Sequence, residues 1–166
     1  QEKTIFYKMD FNIYFKSDKK GLIVTNNFEE IQKKMDLGIF PKSTYIKTEI
    51  HDLSKFDFQT ISLNYLNSFD FESFKSIFSK YSFQIVSIHN STIDLKEVEI
   101  NTRHLVIGEK VKVNLLECNF IGLDEITFLS VKTFKGMILE SFGNVEKMIL
   151  WHENNKSNDI LKLFPN

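Results

Sequence analysis

Histidine and cysteine are the residue types in this chain that most often bind metals or take part in catalysis. The histidines are His51, His89, His104 and His152, and the single cysteine is Cys118. No two of them have the i, i+4 spacing that places two ligands on one helix face, and a metal site needs three or four converging ligands. We therefore expect no metal site, and we interpret the histidines as surface or structural residues.

Cys118 stands in the largely apolar segment 115–120 without an adjacent histidine. A cysteine reacts as the thiolate, which requires a basic or electropositive neighbour, so the sequence predicts a buried and inert thiol. A single cysteine cannot form an intrachain disulfide, which favours a reducing compartment, and we expect a cytoplasmic location. Because the chain begins at Gln1 and not at Met, we also expect that a leader was removed or that the chain begins internally.

Carboxylate pairs are the remaining candidates for acid and base chemistry. Glu97 with Glu99 and Asp124 with Glu125 are such pairs, but 26% of the chain is charged, so pairs of this kind carry little information. The sequence contains no glycine-rich phosphate loop, no H-E-x-x-H and no G-x-S-x-G. We therefore expect no cofactor and no catalytic site, and we predict a protein that is not an enzyme.

Length and charge narrow the class of protein further. A chain of 166 residues, 42% of them hydrophobic, can bury a substantial core as a single domain. Its formal net charge of −1 argues against a nucleic-acid partner, because binding to phosphates depends on a basic surface. No apolar stretch has the ~20 residues that a membrane helix needs, so we expect no membrane partner.

The first third of the chain has its own pattern. Apolar and polar residues alternate over residues 7–16, then a polar turn and the short apolar run 22–24 follow, which predicts a β-hairpin. Asn27 and Glu30 have the spacing of a capping box and predict the start of a helix. We expect residues 1–57 to form an α+β cap beside a second section, 58–166, within one structural domain.

Residues 58–166 show an apparent repeat. Phe120, Phe142 and Phe164 are 22 residues apart, and Ile100 precedes the first of them by 20. Five strand-like apolar runs recur at intervals of 19–25 residues, and their last apolar positions are Leu63, Ile88, Ile107, Phe128 and Leu150. The first run is followed by apolar residues at helical spacing, namely Phe71, Phe74, Phe78 and Tyr81. A period of about 20–29 residues is typical of stacked repeats.

On this period and apolar spacing, the chain resembles a degenerate leucine-rich-repeat protein over about residues 58–166. The resemblance implies an α/β solenoid of about five ~21-residue units behind an N-terminal β-hairpin and helix cap. Asn119 is the one suggestive match to the Asn that follows the strand in that family, and other units lack it. A β-solenoid without the family relationship, or an α+β domain that is not a solenoid, remains an alternative.

The outward strand positions are the predicted contact surface. If the last apolar residue of each run points inward, its neighbours point outward, and repeat proteins commonly bind partners through that face. The candidate partner-binding residues are therefore Ser62, Asn64, Ser87, His89, Val106, Thr127, Leu129, Ile149 and Trp151.

These features favour a non-enzymatic module that binds another protein. The most concrete hypothesis is a bacterial immunity or inhibitor protein that neutralises a toxin by direct binding. This hypothesis rests on analogy with other small stand-alone binding proteins and not on particular residues. One alternative is a small enzyme whose site forms only in three dimensions. The other is an adaptor that docks through its C-terminal edge, near Trp151.

Overall fold

The computed structural model describes residues 11–36, 45–115, 117–130 and 147–150. The strands in these ranges are β1 (Asn12–Lys16), β2 (Gly21–Thr25), β3 (Tyr45–Thr48), β4 (Thr60–Asn64), β5 (Phe83–His89), β6 (Thr92–Asp94), β7 (Glu99–Ile107), β8 (Lys112–Asn114), β9 (Asn119–Ile121), β10 (Glu125–Phe128) and β11 (Lys147–Leu150). The α-helices are α1 (Phe28–Asp36), α2 (Ser68–Phe74) and α3 (Ser76–Lys80), and short 3-10 helices span Ser17–Lys19 and Ile50–Lys55.

The fold is α/β and is organised around one mixed sheet with few helices. Eight strands pair in the order β11-β10-β7-β5-β4-β2-β1-β3, and β9 pairs with β7 outside this path. β1 is antiparallel to β2 and β3, whereas the strands from β2 to β11 on this path pair in parallel. A separate two-stranded sheet consists of β6 and β8. The predicted hairpin is therefore present as β1 and β2, and β2 joins it to the parallel part through β4.

Alternation along the parallel strands builds the core, because successive side chains of a strand point to opposite faces. Across β4, β5, β7 and β10, one buried row is Ile61, Val86, Leu105 and Ile126, and the next is Leu63, Ile88, Ile107 and Phe128. Each of these eight side chains is at most 1% exposed. The inward orientation predicted for the second row is confirmed.

Helices cover parts of both faces of the sheet. On the core side, α2 begins with a capping box between Asn67 and Asp70 and buries Phe71 and Phe74, while α3 buries Phe78. The predicted burial of Phe71, Phe74 and Phe78 is confirmed, but they lie on two short helices, and Tyr81, the fourth residue of the predicted face, follows α3 with an extended backbone. On the opposite side, α1 begins where the Asn27 side chain accepts a hydrogen bond from the backbone N–H of Glu30, at 3.4 Å.

The structure contradicts the resemblance to leucine-rich repeats and the solenoid that it implied. The sheet is mixed, and the segments between successive parallel strands differ in kind. Two helices connect β4 to β5, the short strand β6 connects β5 to β7, and β8 with β9 connects β7 to β10. Parallel neighbours need a crossover connection and cannot be joined by a tight turn. A spacing of about 20 residues therefore follows from alternating strands and crossovers without a repeated unit.

The phenylalanine spacing that suggested the repeat has a local explanation where it can be followed. Ile100 in β7 and Phe120 in β9 are register partners in a parallel pair, and Ile100 is 1% exposed. Phe120 is partly buried against the same core. Phe142 and Phe164 lie outside the described residues. Within the described residues, the spacing between Ile100 and Phe120 corresponds to a single pair of strands, β7 and β9.

Candidate functional site

The face of the sheet opposite the core carries a continuous row of side chains. Ile23, Ser62, Ser87, Val106, Thr127 and Ile149 are register partners on β2, β4, β5, β7, β10 and β11, and we call them the outer row. Five of the nine predicted contact residues belong to it. Ser62, Ser87, Val106 and Ile149 are half-buried, whereas Thr127 is 7% exposed.

α1 forms a wall at one end of the outer row. Its first residue, Phe28, stacks on Tyr14 of β1 with ring centroids 4.1 Å apart and meets Tyr45 of β3 edge-on at 5.4 Å. These aromatic contacts hold the helix over the antiparallel strands. In the part of the chain that the structure describes, no helix lies over the same face of β4, β5, β7 and β10. On the face opposite the core, the part covered by α1 therefore adjoins the part without a helix beside β2, and the edge of α1 forms a step in the surface there.

A cleft of about 460 Å³ opens at this step. It crosses the sheet from β1 toward the carboxyl ends of β4 and β5, and its lining residues are Lys16, Ile23, Ile31, Tyr45, Ser62, Asn64, His89, Asn90, Glu109 and Leu129. Ligands of open α/β sheets commonly bind beyond the carboxyl ends of parallel strands, and a cleft of this size can hold a small molecule or a protruding side chain.

Hydrogen bonds between the loops fix the rim of the cleft at the strand ends. The Ser91 hydroxyl donates to the carbonyl of His89 at 2.8 Å and accepts from the backbone N–H of Leu66 at 3.1 Å. The backbone N–H of Asn90 donates to the carbonyl of Glu109 at 2.9 Å. Asn90 itself has a left-handed backbone with φ of 49°, which asparagine tolerates better than most residues.

The polar groups on the cleft floor are also held in place. The Asn64 side-chain amide donates to the Ser62 hydroxyl at 2.8 Å, two residues back on the same face of β4. His89 is the register partner of Asn64 on β5, and its imidazole packs directly against Gly108 after β7. The floor therefore presents an imidazole and an amide in defined positions.

Lys16 supplies a cation at the other end of the cleft. Its side chain is only 8% exposed, and its Nζ lies 5.9 Å from the centre of the Tyr45 ring. Burial lowers the pKa of the Lys16 ammonium, with Asp18 opposing that effect and Lys19 adding to it. Burial likewise raises the pKa of the Tyr45 phenol, and the nearby Asp18 charge contributes.

The second polar cluster on this face is centred on His104. The Nε2 atom of His104 lies 2.8 Å from the Thr127 hydroxyl and 3.2 Å from Oε2 of Glu125, its register partner on β10. A hydroxyl–histidine–carboxylate relay uses the two different ring nitrogens for its two partners. Both contacts here go to one nitrogen, so the cluster links β7 to β10 and differs from the two-nitrogen geometry of such a relay.

The other chemically active side chains occupy separate places. Cys118 is buried, and burial raises the pKa of its thiol to about 12, in agreement with the predicted inert thiol. Glu97 and Glu99 are exposed, Asp124 pairs with exposed Arg103 at 3.3 Å, and His51 is exposed beside Asp52. Within residues 11–36, 45–115, 117–130 and 147–150, no group of three or more His, Cys, Asp or Glu could hold a metal ion.

The structure brings four of the predicted contact residues to the cleft and leaves Ser87, Val106, Thr127 and Ile149 along the outer row. Ser62, Asn64, His89 and Leu129 line the cleft, and Trp151 lies outside the described residues. Sequence reasoning missed the other six lining residues, of which Lys16, Ile23, Ile31 and Tyr45 come from the N-terminal section and Asn90 and Glu109 follow β5 and β7. The strand alternation placed Lys16 on the polar face of β1, but no sequence signal showed that β2 pairs with β4.

The fold and site define the class as a small mixed α/β protein with an open cleft, lined by both polar and apolar side chains, beside β2 in its sheet. No protein-family model, curated protein or solved structure matches this chain. No helix among the described residues has the length and apolarity required to cross a membrane.

Proposed function

We propose that this protein is a non-enzymatic module that binds another protein through the outer row and the adjoining cleft. The observation that carries the proposal is the register of Ser62, Ser87, Val106 and Thr127 on four adjacent strands. Neighbouring strands are about 4.8 Å apart, so these four positions cover a lane roughly 14 Å long. On the β2 side this surface is bounded by α1, which would limit how far a bound partner extends across the sheet.

The character of the lane suits contact with a protein better than contact with a nucleic acid. Its central side chains are small or apolar and carry no charge, and interface centres are depleted of charged residues. The net charge of −1 points the same way, because phosphate binding depends on clustered cations. We therefore propose a protein partner, and no nucleic acid and no membrane.

The chemistry beside the lane supports binding over catalysis. His104 directs one nitrogen at both Thr127 and Glu125, which differs from the two-nitrogen geometry of a hydroxyl–histidine–carboxylate relay. The Cys118 thiol, with a pKa of about 12, is protonated at neutral pH. The enzyme hypothesis would need a reaction within the cleft itself, where His89 is the titratable group on the floor.

Within the binding class, a bacterial immunity or inhibitor protein is the most concrete proposal. It rests on the small size of the chain and on an open lane that could cover part of a toxin surface, and no residue here identifies a toxin. A cytoplasmic location belongs to the same proposal, since a single cysteine suits a reducing compartment.

The test is a comparison of two matched arginine substitutions. Ser87→Arg places a long cation in the middle of the lane, and Ser79→Arg places the same side chain on the exposed surface of α3. Each variant and the wild type would be used to capture partners from cells of the source organism, followed by affinity measurement with the captured protein. We expect Ser87→Arg to weaken binding by at least about tenfold and Ser79→Arg to leave it unchanged.

The outcomes separate the competing functions. Failure of the wild type to capture any protein would contradict the proposal. Equal binding by both arginine variants, with loss on Ile149→Arg, would move the contact to β11 and favour the adaptor hypothesis. For the immunity proposal, the captured protein should stop growth when produced alone, and co-production of the wild type but not of Ser87→Arg should restore growth.

A further inference from the structure

The charged groups around the cleft are engaged within the chain or face water. Lys16 and Asp18 both have interactions with other groups of the protein, and the Asp18 charge acts on Lys16 and on the Tyr45 phenol at this end of the cleft. Glu109 on the rim is exposed, and an ion pair with an exposed carboxylate contributes little. A charged ligand would lose its own hydration on entering the cleft, which is costly without a strong opposite charge. The cleft therefore favours an uncharged ligand.

Two neutral side chains on the cleft floor keep hydrogen-bonding capacity for a ligand. The Asn64 amide donates one N–H to the Ser62 hydroxyl at 2.8 Å, and within the described residues neither side chain makes another hydrogen bond. An asparagine amide carries a second N–H and a carbonyl oxygen, and a hydroxyl has an O–H of its own to donate. The pair therefore offers both a donor and an acceptor in the cleft.

Asn90 supplies a second amide to the lining of the cleft. It follows His89, the register partner of Asn64, so the two amides come from the ends of the adjacent strands β4 and β5. The backbone N–H of Asn90 donates to the carbonyl of Glu109 at 2.9 Å, which fixes this part of the rim. Because the backbone that carries both amides is already held in place, a ligand has less of the protein to order on binding.

Aliphatic side chains form the apolar part of the cleft. Ile23 of β2 and Ile31 of α1 line the side beneath the helix, and Leu129 lies on the rim with 36% exposure. Hydrocarbon placed against these side chains would leave water, at a gain of about 25 cal/mol per Å² of apolar surface. A ligand that is polar over its whole surface would gain nothing from them.

From these features we infer that the cleft is a binding site for a neutral carboxamide on an aliphatic chain, which is the chemistry of a glutamine side chain or of a small aliphatic amide. The carboxamide bonds with Ser62 and Asn64, and the aliphatic chain lies against Ile23 and Ile31. A carboxylate offers only acceptors and an ammonium only donors, whereas a carboxamide offers both. The inference concerns the cleft alone and does not depend on whether a protein binds the outer row.

Three probes of nearly equal shape test the requirement for an amide. Hexanamide carries the carboxamide, 2-heptanone replaces its nitrogen with a methyl group, and hexanoate replaces that nitrogen with a charged oxygen. Binding to the full chain would be followed by backbone amide chemical shifts in NMR titrations. We expect hexanamide to shift residues 23, 62 and 64 and to bind at least about threefold more tightly than either other probe, as one net hydrogen bond would provide.

Substitutions on the floor test which side chains read the amide. Asn64→Leu replaces the side-chain amide with hydrocarbon of similar size, and we expect this variant to bind hexanamide and 2-heptanone equally. Ser62→Ala removes only a hydroxyl and should narrow the same preference, which keeps the test usable if Asn64→Leu lowers stability. Asn101→Leu makes the matched change at an exposed position near the start of β7 and should retain the wild-type preference.

A competition experiment identifies the source of the amide. If hexanamide displaces the captured protein from the wild type, the cleft accepts a glutamine side chain of that partner. If the protein stays bound while hexanamide occupies the cleft, the natural ligand is a free aliphatic amide. Both results support the site and differ only in what supplies the carboxamide.

Several results would overturn the inference. Equal affinity of the wild type for hexanamide and 2-heptanone would remove the role of hydrogen bonding, and tighter binding of hexanoate would show that charge selects the ligand. An undiminished preference in both Asn64→Leu and Ser62→Ala would remove the role of the floor. Methyl glucoside that binds the same residues as tightly as hexanamide would remove the aliphatic requirement. None of these results bears on the capture of a protein partner, so the two proposals can fail separately.

Discussion

The imidazole of His89 lies so close to Gly108 that a β-carbon at residue 108 would overlap Nδ1 and come within 3.0 Å of Cγ and Cε1. Gly108 is buried, and its backbone N–H donates to the carbonyl of Ile88 at 2.7 Å. The backbone after β7 is thus held by a hydrogen bond at the place where the ring rests on it. The absence of a side chain at residue 108 sets the position of His89 on the cleft floor.

Gly108→Ala should therefore move the His89 ring. The added methyl group overpacks the site, for which we expect a loss of about 1–3 kcal/mol in the free energy of unfolding. The ring resonances of His89 in NMR spectra should shift at the same time. The control is the same substitution in a His89→Ala background, where the space is empty and the loss should nearly disappear. An equal loss in both backgrounds would place the strain in the backbone and not in the ring.

The burial of Phe128 in the row with Leu63, Ile88 and Ile107 predicts a large loss of stability when its side chain is truncated. Phe128 is fully buried and is the register partner of Ile107, so its truncation leaves a cavity. We expect Phe128→Ala to lower the free energy of unfolding by ~3–5 kcal/mol, measured by urea denaturation. Leu129→Ala, one residue later and on the exposed face, should cost less than about 1 kcal/mol. A small loss for Phe128→Ala would contradict the packing described for β10.

The pKa of Lys16 predicts how stability depends on pH. Burial lowers this pKa in the folded state below its ordinary value of 10.5, so between the two values the unfolded chain binds more protons than the folded chain. Stability conferred by this group is therefore absent below the folded pKa and rises with pH toward 10.5. We expect the free energy of unfolding of the wild type to increase relative to Lys16→Met over that window.

The measurement is urea denaturation at a series of pH values from neutral to about pH 10.5, the unfolded value that defines the window. Lys112→Met controls for the loss of one positive charge. Because the other groups are common to wild type and Lys16→Met, their titrations cancel in the difference. A difference that stays flat or falls with pH would show that the Lys16 ammonium is not desolvated.

Cys118 makes a kinetic prediction. Burial raises the pKa of its thiol from 9.0 to about 12, which lowers the thiolate fraction at pH 8 about a thousandfold. We expect iodoacetamide to label Cys118 at least that much more slowly in the folded protein than in urea, as followed by mass spectrometry. Labelling at similar rates in both states would show that the segment 117–121, which includes β9, opens readily.

Local patterns in the sequence determined much of the secondary structure. Alternation placed Leu63, Ile88, Ile107 and Phe128 on one face because that property belongs to each strand separately. The 3, 4 spacing of Phe71, Phe74 and Phe78 predicted a buried helical face for the same reason, although the structure divides the segment into α2 and α3. Such features depend on neighbours a few residues away, which the sequence displays directly.

Apart from the β1–β2 hairpin, strand pairing was decided only by the tertiary structure. The spacing of the apolar runs is compatible with any series of parallel strands and crossovers, so it suggested repeated units where the connections are two helices, one strand or two strands. The cleft depends on pairing even more strongly. Lys16 and His89 are 73 residues apart, and they line one cleft because β2 pairs with β4 and β4 with β5. Each pairing depends on the burial and hydrogen bonding of two distant segments together, which neither segment reveals alone.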